Sequence, residues 1–194
     1  AFGQLAARAD APAGYLRALP STLAAQNLNY GLKARPQGDA KLLWHRNGSL
    51  VLRAATSDGY ARVWNWEVVE RLRDAAERTG LVPARPTFHQ FVSAGKNGPA
   101  LYASDHDMFA FLMSREREIK DPTGQSLFRG IVAQNSEVGD CALKLMGFYF
   151  REICGNHIIW GATQIAEVRL THVGKVRQRW ADAMVRVRRY LDGS

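Results

Sequence analysis

Cysteine is nearly missing: the 194 residues contain two, Cys141 and Cys154. Two are too few for a disulfide scaffold, and nothing in the sequence signals export, so a reducing cytoplasm is the expected compartment. No run approaches eighteen consecutive apolar residues, which excludes a membrane-spanning helix. Also absent are GxSxG, a Walker-type glycine loop, GxGxxG and HExxH, motifs that place a nucleophile, backbone amides or metal ligands for a recognisable chemistry. The sequence therefore carries no enzyme signature and implies no cofactor and no metal. Internal repeats and low-complexity tracts are missing as well. The start, AFGQLAARAD, has neither an initiator Met nor the charged–apolar–small order of a signal peptide, and reads as the beginning of a fragment of a longer protein.

Acid is the other deficit. Eighteen Asp and Glu face 26 Lys and Arg, a formal charge of +8 that favours an acidic partner, nucleic acid first. The excess lies at the two ends: residues 1–60 hold seven bases against three acids and the last 26 residues seven against two, whereas the centre is neutral. With 46% hydrophobic residues the chain can bury a sizeable core, and its length suits one large domain.

Periodicity gives the organisation. Residues 2–9 and 12–34 read as helical, with Pro20 breaking the second stretch and Ser21 placed to cap the helix after the break. KLLWHR-NG-SLVLRA is the clearest local signal: two β-type runs flank Asn47–Gly48, the pair that a two-residue hairpin turn favours. Asn65 can cap a helix over Trp66–Thr79, with Trp66, Val69, Leu72 and Ala76 on one face and Gly80 ending it. PARP and AGKNGPA read as loops, SDHDMFAFLM as a short helix, and REREIKDPTGQS as an exposed charged loop. From Leu127 the pattern changes to strands: LFRGIVAQ, the two-faced apolar CALKLMGFYFREIC, then NHIIWGA. EVRLTHVG leads into a last helix, KVRQRWADAMVRVRRYLD, whose apolar stripe is Val176, Trp180, Ala183, Met184, Val187 and Leu191. The expected fold is a single α+β domain over 1–194: a helical N-terminal segment (1–38), a β-hairpin and helices (39–125), and a β-β-β-α unit (126–194) with a mixed or antiparallel sheet.

Most candidate chemistry has an ordinary structural reading beside it. Asp105–His106–Asp107 could ligate a metal, but Ser104 followed three residues later by Asp107 fits a helix capping box better. Cys141, Cys154, His157 and His172 match no standard zinc spacing. Cys154 and His157, three apart, lack a third orienting group for nucleophilic catalysis. Glu137 and Asp140 lie in a glycine-containing turn, where acids are common. KLMGFYF has a likeness to the base-stacking strand of RNA-recognition sheets, but its charged and glycine positions differ, so core packing is the expected role, with Tyr149 the one candidate stacking ring. The strongest physical signal is the basic last helix, where Lys175, Arg177, Arg179, Arg186, Arg188 and Arg189 fall largely outside the apolar stripe and could neutralise phosphates. Arg46, Arg53 and Arg62 could extend that strip.

In this order, FGQLAARADAPAGYLRALP, LYASDHDMFAFL, FRG…NSEVG, CGNHIIWGA and RLTHVG resemble the phage/plasmid-like protein family, a domain of unknown function (number 932). The resemblance spans nearly the whole chain and implies a bacterial mobile element, without supplying a mechanism. The family-like positions are Asn135, Ser136, Glu137 and Gly139; Cys154, Asn156, His157 and Trp160; and Arg169, His172 and Gly174. THVG stands where relatives carry RHxG, so a basic side chain is missing before His172. The β-β-β-α order is also similar to that of single-strand annealing proteins of phage recombination, a likeness of topology alone.

Together these features give a first expectation: a nucleic-acid-binding, oligomeric protein of a mobile element, assisting recombination or replication, with single-stranded DNA the favoured partner. A protein-interaction module that blocks a host defence factor is a second. A metal-dependent hydrolase or nuclease using Asp105, Asp107, Glu137 or His157 is a third.

Overall fold

The computed structural model describes residues 1–86, 100–153 and 158–192. The AGKNGPA loop falls almost wholly outside them. The protein is α+β, and its chain packs as two compact units, Ala1–Tyr60 and Ala61–Ser194.

In the first unit, α1 (Phe2–Arg8), α2 (Ala13–Ala18) and α3 (Ser21–Ala34) precede a hairpin of β1 (Ala40–Asn47) and β2 (Ser49–Ser57). Its core is built from small residues: Ala6, Ala9, Ala24, Ala54 and Ala55 are buried beside Leu16. Close approach is the reason. A Cβ on Gly31 would lie 2.3 Å from the carbonyl oxygen of Ala9, so α3 can cross the end of α1 only at a glycine. Ser21 is the first residue of α3, not its cap; Pro20 occupies the capping position, its fixed φ suiting a helix entry. The hairpin forms where expected, but it closes around Gly48 at φ 73°, with Asn47 paired to Ser49 as the last residue of β1.

In the second unit, α4 (Asn65–Thr79) leads through Gly80 into β3 (Leu81–Pro83), followed by β4 (Arg85–Pro86), β5 (Leu101–Ala103), β6 (Met108–Lys120), β7 (Ser126–Asn135), β8 (Leu143–Ile153), β9 (Ile158–Leu170) and α5 (Val176–Asp192). β6, β7, β8 and β9 form an antiparallel meander. β3 pairs antiparallel with β6 at one edge, and β4 pairs parallel with β9 at the other. Only Ala84 separates β3 from β4, and its N–H donates to Phe111 O at 2.9 Å. Consecutive Cα atoms lie about 3.8 Å apart, so the two ends of the sheet must meet and the sheet closes into a barrel. PARP is therefore not a loop but part of the strand that seals the wall.

Two apolar clusters arise from strand alternation. Ala84, Phe111, Met113 and Val132, with Met146 and Phe148 against them, fill the inside. Met108, Ala110, Ile131, Ala133, Leu143 and Leu145 point outward under α4 and α5, because a ring this small has no room for a helix within it. The stripe expected on α5 packs there, with Val176, Trp180, Ala183, Val187 and Leu191 buried and Met184 half-buried. Each large side chain in this layer contributes on the order of 1.5–3 kcal/mol. On α4 the buried residues are Val68, Leu72 and Ala75, while Trp66 is exposed, so the apolar face is rotated from the expected one.

SDHDMFAFLM is not a helix. Met108 and Ala110 face one cluster, Phe111 and Met113 the other, so the run is a strand buried on both faces, a pattern that a short apolar run does not distinguish from a helix. RERE-I-K continues the same strand to Lys120, and only residues 121–125 turn. Between Met113 and Glu118 the register with β7 shifts, a bulge that bends this long strand along the curved wall.

The far end of α5 docks through one ring. Tyr190 lies over Gly147, donates its hydroxyl to Phe148 O at 2.6 Å, and sits 5.8 Å from the Arg129 guanidinium, which donates to Tyr190 O at 2.8 Å. Burial, reinforced by neighbouring Tyr149, pushes the phenol above its ordinary range, so it stays a donor. A Cβ on Gly147 would stand 2.9 Å from the Tyr190 ring. Gly147→Ala should therefore lower unfolding free energy in urea by about 1–3 kcal/mol. The same change in a Tyr190→Ala background should cost less, and equal costs in both backgrounds would contradict the contact.

Candidate functional site

One end of the barrel gathers two of the three groups of family-like residues, Asn135–Gly139 and Arg169–Gly174. β7 ends and β8 begins there, joined by the NSEVGD turn, and β9 ends there before the THVG turn into α5. Asn135 and Ser136 are fully buried, and Gly139 holds φ 89° in the turn. Asn135 Nδ2 donates to Val63 O at 3.0 Å and to Asn65 Oδ1 at 2.8 Å. Glu137 Oε1 accepts the Asn65 N–H at 2.7 Å, and the Glu137 carbonyl accepts from Arg62 Nη1. The cap of α4 is thus Glu137, 72 residues away in sequence, and not the Asn65 side chain. A carboxylate at this end also complements the helix dipole.

The second motif grips the same segment. Ala61 N–H donates to His172 O at 2.8 Å, and His172 Nδ1 faces Ala61 O at 3.3 Å. Gly174 completes the turn at φ 60°. Burial depresses the imidazole pKa below 6.5, helped by the Arg62 charge and opposed by the carbonyls of Ala61 and Cys141. Arg177 then closes the cluster: Nε and Nη2 reach both Glu67 carboxylate oxygens at 3.1 and 2.9 Å, and Nη2 also donates to Arg62 O at 3.0 Å. Bidentate geometry of this kind is the strong form of an ion pair. Residues 61–67 are held from three sides by groups more than 70 positions distant.

The remaining candidates fall outside that grip. Ser104 and Asp107 do hydrogen-bond, Oγ to Oδ1 at 2.8 Å, but they shape a turn into β6 and cap no helix. His106 Nδ1 lies 2.7 Å from Asp140 Oδ2 in an exposed pair, and Ser136 Oγ donates to His106 O. Burial, followed by the Asp107 charge, pushes the Cys141 thiol above its ordinary value, the opposite of an activated thiolate. Cys154, Asn156 and His157 lie outside the described residues, so the CGNH turn is not placed. Trp160 belongs to β9 opposite Arg151, and Arg169 is an exposed β9 residue opposite Lys144. Among the described residues no group of three His, Cys, Asp or Glu is placed to hold a metal ion. Tyr149 packs beside Arg129, its ring 6.0 Å from the guanidinium.

The basic strip divides. Arg177 is committed to Glu67, and Arg179 Nη2 donates to Thr171 O and Val173 O at 3.0 and 2.7 Å, tying down the loop before α5. Lys175, Arg186, Arg188 and Arg189 are exposed. Arg186 stands about 13 Å along the helix from Arg177. Arg62 is absorbed by the cluster and also lies 5.6 Å from the Trp64 ring, Arg53 is half-buried, and Arg46 is exposed. Asn65 and Glu67 as long-range partners could not be read from the sequence, since neither pairing leaves a local spacing.

Glu137→Ala should cost about 1–2 kcal/mol in chemical denaturation by stripping the α4 cap. Asp140→Ala, in the exposed pair, should cost less than about 1 kcal/mol. His172 gives a pH dependence. Its folded pKa is below 6.5, so the unfolded chain takes up the proton first as pH falls. The stability it contributes is complete above that value and is lost as pH drops through and below it. The gap in urea midpoint between wild type and His172→Gln should therefore narrow from about pH 7.5 to about pH 5.5; a constant gap would contradict a buried neutral ring.

The family model described as "Domain of unknown function (DUF932)" matches residues 54–193. Neither the curated proteins nor the solved structures yield a match to this chain. The matched stretch contains the whole barrel, α4, α5 and both gripping motifs, and on that extent of match the chain belongs to the DUF932 family.

Proposed function

We infer that this chain is a nucleic-acid-binding protein of a bacterial mobile element, acting in the cytoplasm as part of an oligomer during recombination or replication. One observation carries the reading: α5 is fixed to the barrel by a continuous apolar stripe and by Tyr190, and on this rigid support it presents exposed Arg186 and Arg188. Neither makes an ion pair or hydrogen bond through its side chain among the described residues, and the Lys175 side chain is likewise unengaged. Cations held on a rigid element without internal partners suit phosphate contacts, which need position and charge more than sequence-reading geometry. The +8 charge supports the same partner class. Among the described residues no helix is long and apolar enough to cross a membrane. Arg177 and Arg179 take structural roles here and drop out of the contact set.

A second reading, a protein-interaction module such as an antagonist of a host defence factor, draws on an apolar groove of about 390 Å³ between α4 and the β3–β6 edge, with Val69, Ala76, Leu101 and Leu112 in its lining. Its volume is that of a typical recognition pocket.

The deciding experiment is fluorescence anisotropy with labelled single- and double-stranded DNA across a salt series. Binding should weaken as salt rises, and Arg186→Ala/Arg188→Ala should flatten the slope of log K against log salt by about two, one per lost phosphate contact. An affinity indifferent to salt, or no binding at low salt, would transfer the weight to the groove and a protein partner.

A further inference from the structure

The β1–β2 hairpin lies almost wholly outside the family-matched stretch, and it is built unlike an ordinary hydrophobic ribbon. Leu42, Trp44 and Arg46 alternate along one face of β1. Trp44 stands opposite Leu52 and Arg46 opposite Leu50 across the register. Trp44 is 48% exposed, Leu42 47% and Leu50 64%, while burial is confined to Ala54, Ala55 and Thr56 toward the base, where Gln4 Oε1 accepts the Ala55 N–H at 2.9 Å. The hairpin is therefore anchored at its base and projects an apolar face with one indole ring. Residues 40–57 contain Lys41, Arg46 and Arg53, with His45, and no carboxylate. Lys41 pairs with Asp58 at the base, at 4.0 Å, so Arg46 is the cation beside the exposed apolar face, and an apolar face with a cation beside it is complementary to a polyanion that carries exposed aromatic surfaces.

We propose that this hairpin is a stacking platform for an unpaired nucleic-acid strand, with Trp44 receiving a base and Arg46 meeting the adjoining phosphate. The inference rests on the nucleic-acid reading above and deepens it by naming the strand form. Stacking needs a π-face that a duplex keeps internal, so the platform selects single strands, and every base offers such a face, so it is tolerant of sequence. Arg46 lies two residues along the same strand face, about 6.5 Å from Trp44. Neither side chain is among those buried at the base of the hairpin, so replacement should leave the unit folded.

The test is binding of the full chain to labelled oligothymidine and to a duplex of equal length, for wild type, Trp44→Ala, Trp44→Phe and Arg46→Ala, with circular dichroism as the check on folding. Trp44→Ala should weaken oligothymidine binding about ten-fold or more with an unchanged salt slope, because stacking releases no counterions. Trp44→Phe should restore most of the affinity. Arg46→Ala should flatten the slope by about one. Wild type that binds neither form overturns the nucleic-acid reading itself. Wild type that binds while Trp44→Ala matches it, or loses duplex binding equally, overturns the platform alone. A change in sedimentation coefficient for Trp44→Ala without DNA assigns the face to a second copy of the chain and likewise overturns it.

Discussion

A single residue, Ala84, obliges the two ends of the sheet to meet. β3 belongs to the edge beside β6 and β4 to the edge beside β9, and one covalent link between them leaves no route but closure. Closure has costs and benefits that the rest of the second unit expresses. It removes most open strand edges, which otherwise invite pairing with other chains. It also divides the apolar residues into an inside, which side chains of the wall must fill, and an outside, which α4 and α5 must cover. Small Ala84 and Gly130 on the wall, beside the larger Phe111 and Met113 of neighbouring β6, fit a narrow ring whose space is taken by a few large side chains.

The polar cluster at one barrel end is best understood as the clasp that holds the entry to α4. Burying Asn135 and His172 is costly unless their polar atoms find partners; Asn135 Nδ2 and His172 Nδ1 find theirs in groups of residues 61–65, whereas Asn135 Oδ1 has no hydrogen-bond partner among the described residues. The side chains that look most like chemistry in the sequence, Glu137 and His172, are thus committed to architecture. Arg177 belongs to the same clasp. Residues matched by the family model need not mark a reaction; in this fold several of them mark the joints between non-neighbouring segments.

Much of this was legible in the sequence where the determinants are local. The α5 stripe, the hairpin, the two-faced β8 and the ending of α4 at Gly80 in the left-handed conformation all come from spacing and residue type. What failed was a choice between periods. MFAFLM is apolar at every position, so neither the 3.6 nor the 2.0 repeat is favoured, and only the second buried face, supplied by the barrel interior, decides for a strand. The capping errors have one cause: Asn65 and Ser21 are plausible local caps, but a carboxylate folded in from Glu137 outcompetes one, and Pro20 displaces the other. PARP reads as a breaker because a proline-flanked strand is tolerated only at special positions, here a short bridging one. The basic strip was legible as composition, yet its division into structural and exposed members depends on Glu67 and on the carbonyls of Thr171 and Val173.

An odd number of strands in a meander carries a consequence of parity. With five members in the ring, counting residues 81–86 as one, the first and last must run the same way, which is why β4 and β9 pair in parallel. α4 feeds the first member at its start, and α5 leaves the last at its finish, so both helices begin at one mouth of the barrel and point toward the other. The bond between Arg177 and Glu67, each in the first turn of its helix, is where those two beginnings touch. Two like helix poles lie side by side at that mouth, and the carboxylates of Glu67 and Glu137 stand between them as the neutralising charge.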